Sequence, residues 1–121
     1  MTGTPTGMIS SGALVAPNAE LIFLSGVVAP EGTVRDDEGR AVLALMSERL
    51  KTMGASMADV AELRVYRVEG ESGFNAAYAS YFNNAESNPH RPVRTNYLVA
   101  SLPGGRAVEV EAIIVRPQSG F

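Results

Sequence analysis

The chain has 121 residues, 45% hydrophobic and 19% charged, a composition typical of one soluble globular domain. Its formal net charge of −3 argues against a nucleic-acid-binding surface. It contains no cysteine and one histidine, His90, which excludes disulfides, thiolate chemistry and a multi-histidine metal site. No apolar run approaches the roughly 20 residues of a membrane span, and residues 1–7 do not look like a secretory signal. We expect one cytoplasmic domain over residues 1–121, with residues 1–7 frayed.

The first half of the chain predicts two strands followed by a helix. Residues 21–24 form an apolar run that ends at Ser25-Gly26, as a strand would. A helix is predicted over residues 37–53, with Asp36 or Asp37 as its N-cap and Gly54 as its left-handed C-terminal cap. The apolar stripe of this helix is Val42, Leu43, Met46, Leu50 and Met53.

The second half predicts a strand, a helix and two further strands. Apolar and polar residues alternate over residues 60–68, a helix begins near Ser72, and strands cover about 93–100 and 106–116. The buried side of the second helix is predicted to be Phe74, Ala77, Tyr78, Tyr81 and Phe82. This order favours an α+β fold with two helices packed on one face of a mixed sheet. The other face is too polar for a core and too apolar for plain surface, which favours a subunit interface with cavities.

The register of the last two strands brings charged residues together. If residues 101–104 form a hairpin loop, Ala100 pairs with Gly105, and alternation then places one polar set on the face away from the helices. That set is Arg94, Asn96, Glu109 and Glu111. Glu111 is expected to be structural, as a partner of Arg64 or Arg106.

Two interpretations of this polar set stay open. Arg94 could neutralise a glutamate across the sheet, a contribution of about 0.2–1 kcal/mol. Alternatively, the set could form a pocket in which the guanidinium binds a substrate carboxylate through two parallel hydrogen bonds. A nearby, partly buried carboxylate could then move a proton or position a water molecule.

Three segments carry a resemblance to a known family: "LIFLSGVV", "FNAAYASYF" and "RPVRTNYLVASLPGGRAVEVEAIIV". Together they resemble the RidA/YjgF/YER057c/UK114 family of imine/enamine deaminases over about residues 13–116. The most specific parts are Pro92-x-Arg94-Thr95, Leu102-Pro103 and residues 108–113. The resemblance implies a chorismate-mutase-like (bacillus type) α+β fold, assembled as a homotrimer with its sites in clefts between subunits.

The resemblance also implies a reaction, the hydrolysis of 2-imino acids or their enamine tautomers to 2-oxo acids and ammonia without a metal or cofactor. Arg94 would bind the carboxylate of a small 2-imino or 2-oxo acid, and Glu109 would act on the attacking water. The substrate-binding residues that it implies are Arg94, Asn96, Ser25, Gly26 and Asn75.

The chain departs from the family pattern near the substrate. The tyrosine of a Gly-Pro-Tyr motif is missing from "SSGALVAPNAE", and Asn96 stands where the family usually has cysteine or threonine. A pathway-specific deaminase of an aminomuconate-like dicarboxylic enamine is therefore one alternative. Another is a non-catalytic trimer that binds small carboxylates or a protein partner. A ribonuclease activity, described for members of the family, fits the acidic balance and single histidine least well.

Overall fold

The structure is a computed structural model that describes residues 18–71, 73–82 and 91–116, together with the backbone of two short strands near the N-terminus. Over residues 18–116 the elements follow the predicted order from its second strand onward: strand, helix, strand, helix, strand and strand. The elements are β1 (Pro5–Thr6), β2 (Ile9–Ser10), β3 (Glu20–Val28), α1 (Glu38–Thr52), β4 (Val60–Val68), α2 (Phe74–Phe82), β5 (Val93–Val99) and β6 (Val108–Arg116). No helix in this part of the chain is long and apolar enough to cross a membrane.

The main sheet has four strands in the order β3-β6-β4-β5. β4 pairs in parallel with β5 and antiparallel with β6, so β4 lies between the last two strands of the chain. The predicted hairpin, with Ala100 opposite Gly105, is therefore wrong. The connection over residues 100–107 instead passes the end of β4, and Pro103–Gly105 form a short 3-10 turn within it.

One face of this sheet packs against both helices and forms the core. Alternate residues of each central strand point into it, as the period of two requires. The sheet contributes Leu24, Val27, Leu63, Val65, Val108, Val110, Ala112 and Ile114, and the helices contribute Val42, Leu43, Met46, Leu50, Phe74, Tyr78 and Phe82. Burying each large apolar side chain is worth about 1.5–3 kcal/mol. Met53, predicted to belong to the stripe, is instead exposed because it lies beyond the last helical residue.

Glycines fix how the helices end and meet. Gly54 has a φ of +73° and its N–H donates to the carbonyl of Lys51, so it is the predicted left-handed cap. Gly39 lets α1 approach α2 closely, because a Cβ there would lie 2.6 Å from the Cα of Phe74. This contact holds the first turn of α2 in place. Asp37 occupies the N-cap position of α1, but its carboxylate accepts from Arg40 at 2.8 Å and not from the backbone.

The face of the sheet away from the helices is here called the open face. It carries large apolar side chains that the described residues leave largely exposed: Leu21 is 52% exposed, Phe23 71% and Tyr97 43%. The Tyr97 ring stacks on Tyr66 with the ring centroids 5.0 Å apart. Three exposed apolar groups on one sheet face are typical of a surface that another chain covers. Leu98, 75% exposed, lies on the helix side.

Candidate functional site

Arg94 lies on the helix side of the sheet. In the parallel pairing of β4 and β5, Arg94 is opposite the buried Leu63, and Asn96 is opposite the buried Val65. Residues paired in this way point to the same face. The prediction that Arg94 and Asn96 lie on the face away from the helices is therefore wrong. Its error follows from the assumed hairpin, since pairing with β4 in place of β6 reverses the faces of β5.

The Arg94 guanidinium rests on α2. Its central carbon is 4.5 Å from the centre of the Tyr78 ring and 5.0 Å from that of the Phe74 ring, within cation–π range. Sequence reasoning had assigned both rings only to the core. The sequence does contain a signal for them: Asn75 is a candidate site residue, and Phe74 and Tyr78 lie beside it at the start of α2.

Two amide oxygens hold the guanidinium. Nη2 donates to Asn75 Oδ1 at 2.7 Å and to Asn96 Oδ1 at 2.8 Å, and Nε donates to Asn96 Oδ1 at 3.0 Å. Among the described residues Arg94 forms no ion pair. Burial lowers the pKa of Arg94, although the nearby Tyr78 acts in the opposite direction. A half-buried guanidinium without a carboxylate partner is suited to binding an anion.

Glu109 lies on the open face, next to the bulge of β3. The register of β3 and β6 shifts between Leu24 and Val27, so Ser25 and Gly26 form an irregular step in the strand. A Cβ on Gly26 would overlap the Glu109 carboxylate, so the glycine provides the space that this carboxylate occupies. Ser25 beside it is exposed. Within residues 18–71, 73–82 and 91–116, Glu109 has no ion-pair partner.

Glu111 belongs to a separate network on the open face. It accepts a hydrogen bond from the Tyr66 hydroxyl at 2.5 Å and lies 3.5 Å from Arg64 Nη1, so its predicted pairing with Arg64 is confirmed. Arg64 Nε also donates to Glu62 at 2.6 Å. The bond to Glu111 raises the pKa of Tyr66, and the bond to Glu62 raises that of Arg64. These contacts give Glu111 a structural role.

The predicted site residues thus fall into two groups. The arginine cluster is Arg94, Asn75 and Asn96 on the helix side, and the glutamate cluster is Glu109, Gly26 and Ser25 on the open face. The clusters lie on opposite faces, and β4 separates the backbones of β5 and β6 by about 10 Å. The prediction that one chain aims both groups into one hollow is wrong. A site that uses Arg94 and Glu109 together needs them from two copies of the chain.

The residues described do not bring together three or more histidine, aspartate or glutamate side chains in a geometry that could hold a metal ion. His90, the single histidine of the chain, lies outside the described residues.

The fold defines the class of protein: it is the α+β fold of the YjgF/L-PSP structures. The crystal structure of the yeast protein YEO7 is similar with a TM-score of 0.68 at 30% identity, covering 97% of this chain and 100% of that one. A Mycobacterium tuberculosis protein described as a member of the YjgF/YER057c/UK114 family has a TM-score of 0.66 at 24% identity, covering 88% of this chain and 96% of that one. At that identity the second likeness concerns the fold alone.

Sequence comparison identifies the family. The family described as Endoribonuclease L-PSP matches residues 10–116, and the chain belongs to it, which confirms the resemblance seen in the sequence. A goat protein named 2-iminobutanoate/2-iminopropanoate deaminase is 34% identical over 94 residues, and the match spans 76% of this chain and 64% of the goat protein. Protein HMF1 of Saccharomyces cerevisiae is 33% identical over 102 residues, spanning 77% and 74%.

Proposed function

We propose that this chain hydrolyses 2-imino acids, or their enamine tautomers, to 2-oxo acids and ammonia without a cofactor. The observation that carries the proposal is Arg94, a half-buried guanidinium whose described partners are two amide oxygens and two aromatic rings. Such a group lacks only an anion to complete its contacts. The name of the goat relative supports an imine substrate. The expected cytoplasmic location stays a prediction.

The active site of the proposal lies between neighbouring copies in a homotrimer. The arginine cluster of one copy would face the glutamate cluster of the next, because a head-to-tail contact repeated around a ring brings two different surfaces together. The exposed apolar groups of the open face support such an assembly, since an interface would cover Leu21, Phe23 and Tyr97.

The proposed hydrolysis needs little chemical activation from the protein. An imine carbon is already electrophilic, so the main contribution is the orientation of substrate and water. Arg94 would hold the carboxylate of the substrate while Glu109 holds a water molecule and accepts its proton as the oxygen bonds to C2. The electrons of the C=N bond pass to nitrogen. Glu109 returns that proton to the nitrogen and then moves the hydroxyl proton to it as well, so that the C2–N bond breaks, ammonia leaves and the hydroxyl oxygen forms the C2=O bond.

The first test compares charge-removing variants with exposed controls. Arg94→Ala and Glu109→Gln should each reduce ammonia release from 2-iminopropanoate, generated in situ, by about a hundredfold or more. Arg49→Ala and Glu48→Gln remove the same charges from exposed positions of α1 and should retain wild-type rates. If pyruvate binding depends on Arg94 but no imino acid is turned over, the chain is a carboxylate-binding protein and the enzyme proposal is wrong.

The second test asks whether the site spans two copies. Arg94→Ala and Glu109→Gln chains are unfolded together in equal amounts and refolded as mixed oligomers. With random assembly, a site has an intact arginine from one copy and an intact glutamate from the next in about one quarter of cases. The mixture should recover about that fraction of the wild-type rate. No recovery, with mixed oligomers verified by mass spectrometry, would show that both groups act within one chain or not together.

A further inference from the structure

The hydrogen-bonding edges of the Arg94 guanidinium are unequally available. Arginine presents five N–H groups in a planar fork, and the Nε–Nη2 edge offers two parallel donors to a carboxylate. In this structure both donors of that edge point to Asn96 Oδ1, at 3.0 Å from Nε and 2.8 Å from Nη2. The amide oxygen therefore occupies a position that a carboxylate oxygen could take.

Of the three guanidinium nitrogens of Arg94, only Nη1 lacks a hydrogen-bond acceptor among the described residues. The second N–H of Nη2 donates to Asn75 Oδ1 at 2.7 Å, which completes the use of Nε and Nη2. Nη1 donates to no atom of the described residues. One face of the guanidinium lies toward the rings of Tyr78 and Phe74. A carboxylate can therefore meet Nη1 alone unless an asparagine withdraws.

We propose that Asn96 is a specificity-determining residue of the arginine cluster, because its amide oxygen occupies the Nε–Nη2 edge of Arg94 and competes with the ligand carboxylate. This inference rests on the proposed function and adds that a 2-oxo or 2-imino acid must displace Asn96 or bind through Nη1. The chain therefore binds simple 2-oxo acids more weakly than it would if the Nε–Nη2 edge of Arg94 were unoccupied.

The test measures pyruvate binding by calorimetry with the full chain. Asn96→Ala frees the edge and should lower the dissociation constant about tenfold, since hydrogen bonds to a charged group no longer have to be exchanged. Asn96→Thr, with the residue usual in the family, should shift it in the same direction. Asn96→Asp places a carboxylate on the guanidinium and should raise the constant at least about tenfold. Asn18→Ala and Asn18→Asp are matched controls at an exposed turn and should leave it unchanged.

Arg94→Ala separates this inference from the function on which it rests. If that variant loses pyruvate binding while Asn96→Ala and Asn96→Thr bind like the wild type or more weakly, the role of Asn96 is refuted and the arginine anchor stands. If Arg94→Ala binds pyruvate normally, both proposals fail. Binding by Asn96→Ala but not by the wild type would support the inference. An absence of binding in both would overturn it.

Discussion

Gly26→Ala tests whether the position of the Glu109 carboxylate matters for catalysis. A Cβ at Gly26 would lie 3.1 Å from Glu109 Cδ and would overlap Oε2, closer than ordinary van der Waals contact. The φ of Gly26 lies outside the left-handed region, so the backbone accepts alanine without strain. The clash meets only the far end of a flexible side chain. The fold can therefore absorb it by moving the carboxylate, at a cost of about 1 kcal/mol, the low end for an added methyl group in a packed site.

That movement is what the assay detects. The carboxylate has to shift by about 1 Å, and a misplacement of this size can lower a rate roughly a hundredfold. We expect kcat for ammonia release from 2-iminopropanoate to fall by that order, while the melting temperature measured by calorimetry stays within a few degrees of the wild type.

Gly32→Ala is the matched control, because it adds the same methyl group in the opposite situation. Gly32 has a φ of +88° and no atom within 4 Å of a Cβ, so alanine there is strained but touches nothing. Gly32→Ala should lower the free energy of unfolding by about 1 kcal/mol, which lowers the melting temperature by about 4 °C for a chain of this size. It should leave kcat for ammonia release unchanged. A Gly26→Ala protein that is folded and fully active would refute the assignment of Glu109 as the group that acts on water.

Two further predictions concern the open face and the core. Phe23→Glu places a charge at a 71% exposed position of the open face and should convert the proposed trimer of about 38 kDa, three times 12.8 kDa, into inactive monomers in analytical ultracentrifugation. Val34→Glu, at a 66% exposed position off the sheet, should leave the trimer intact, and a Phe23→Glu trimer would count against the interface. Burial raises the pKa of Tyr78 to about 12, so between pH 10 and 12 the unfolded chain loses the phenol proton while the folded chain keeps it. Stability present below pH 10 should thus fall by about 2–3 kcal/mol on approaching pH 12. In urea unfolding, Tyr78→Phe should not show this loss of unfolding free energy between pH 10 and 12. If the wild type and the variant lose the same free energy over that range, Tyr78 is not the group responsible.

The elements and the core were predictable from the sequence because they rest on local periodicity. The strand over residues 60–68 agrees with the structure, and so do the predicted apolar sides of both helices apart from the exposed Met53. Strand pairing was not predictable in the same way. The segment over residues 101–105 contains proline and two glycines, as hairpin turns do, and only long-range contacts place β4 between β5 and β6. Alternation assigned each residue to a set, but the partner strand decided which face that set took.

The position of β5 at the edge of the sheet explains why an arginine is tolerated on the helix side. Of the main-sheet strands, only β4 pairs with it, so its polar side chains lie at the margin of the core and not in its centre. There Arg94 covers the rings of Phe74 and Tyr78 while part of it still reaches solvent. Glu109 lies on β6, inside the sheet, and its carboxylate occupies the space over Gly26 on the open face. Because neither cluster can reach the other through the sheet, the proposed activity and the proposed assembly stand or fall together.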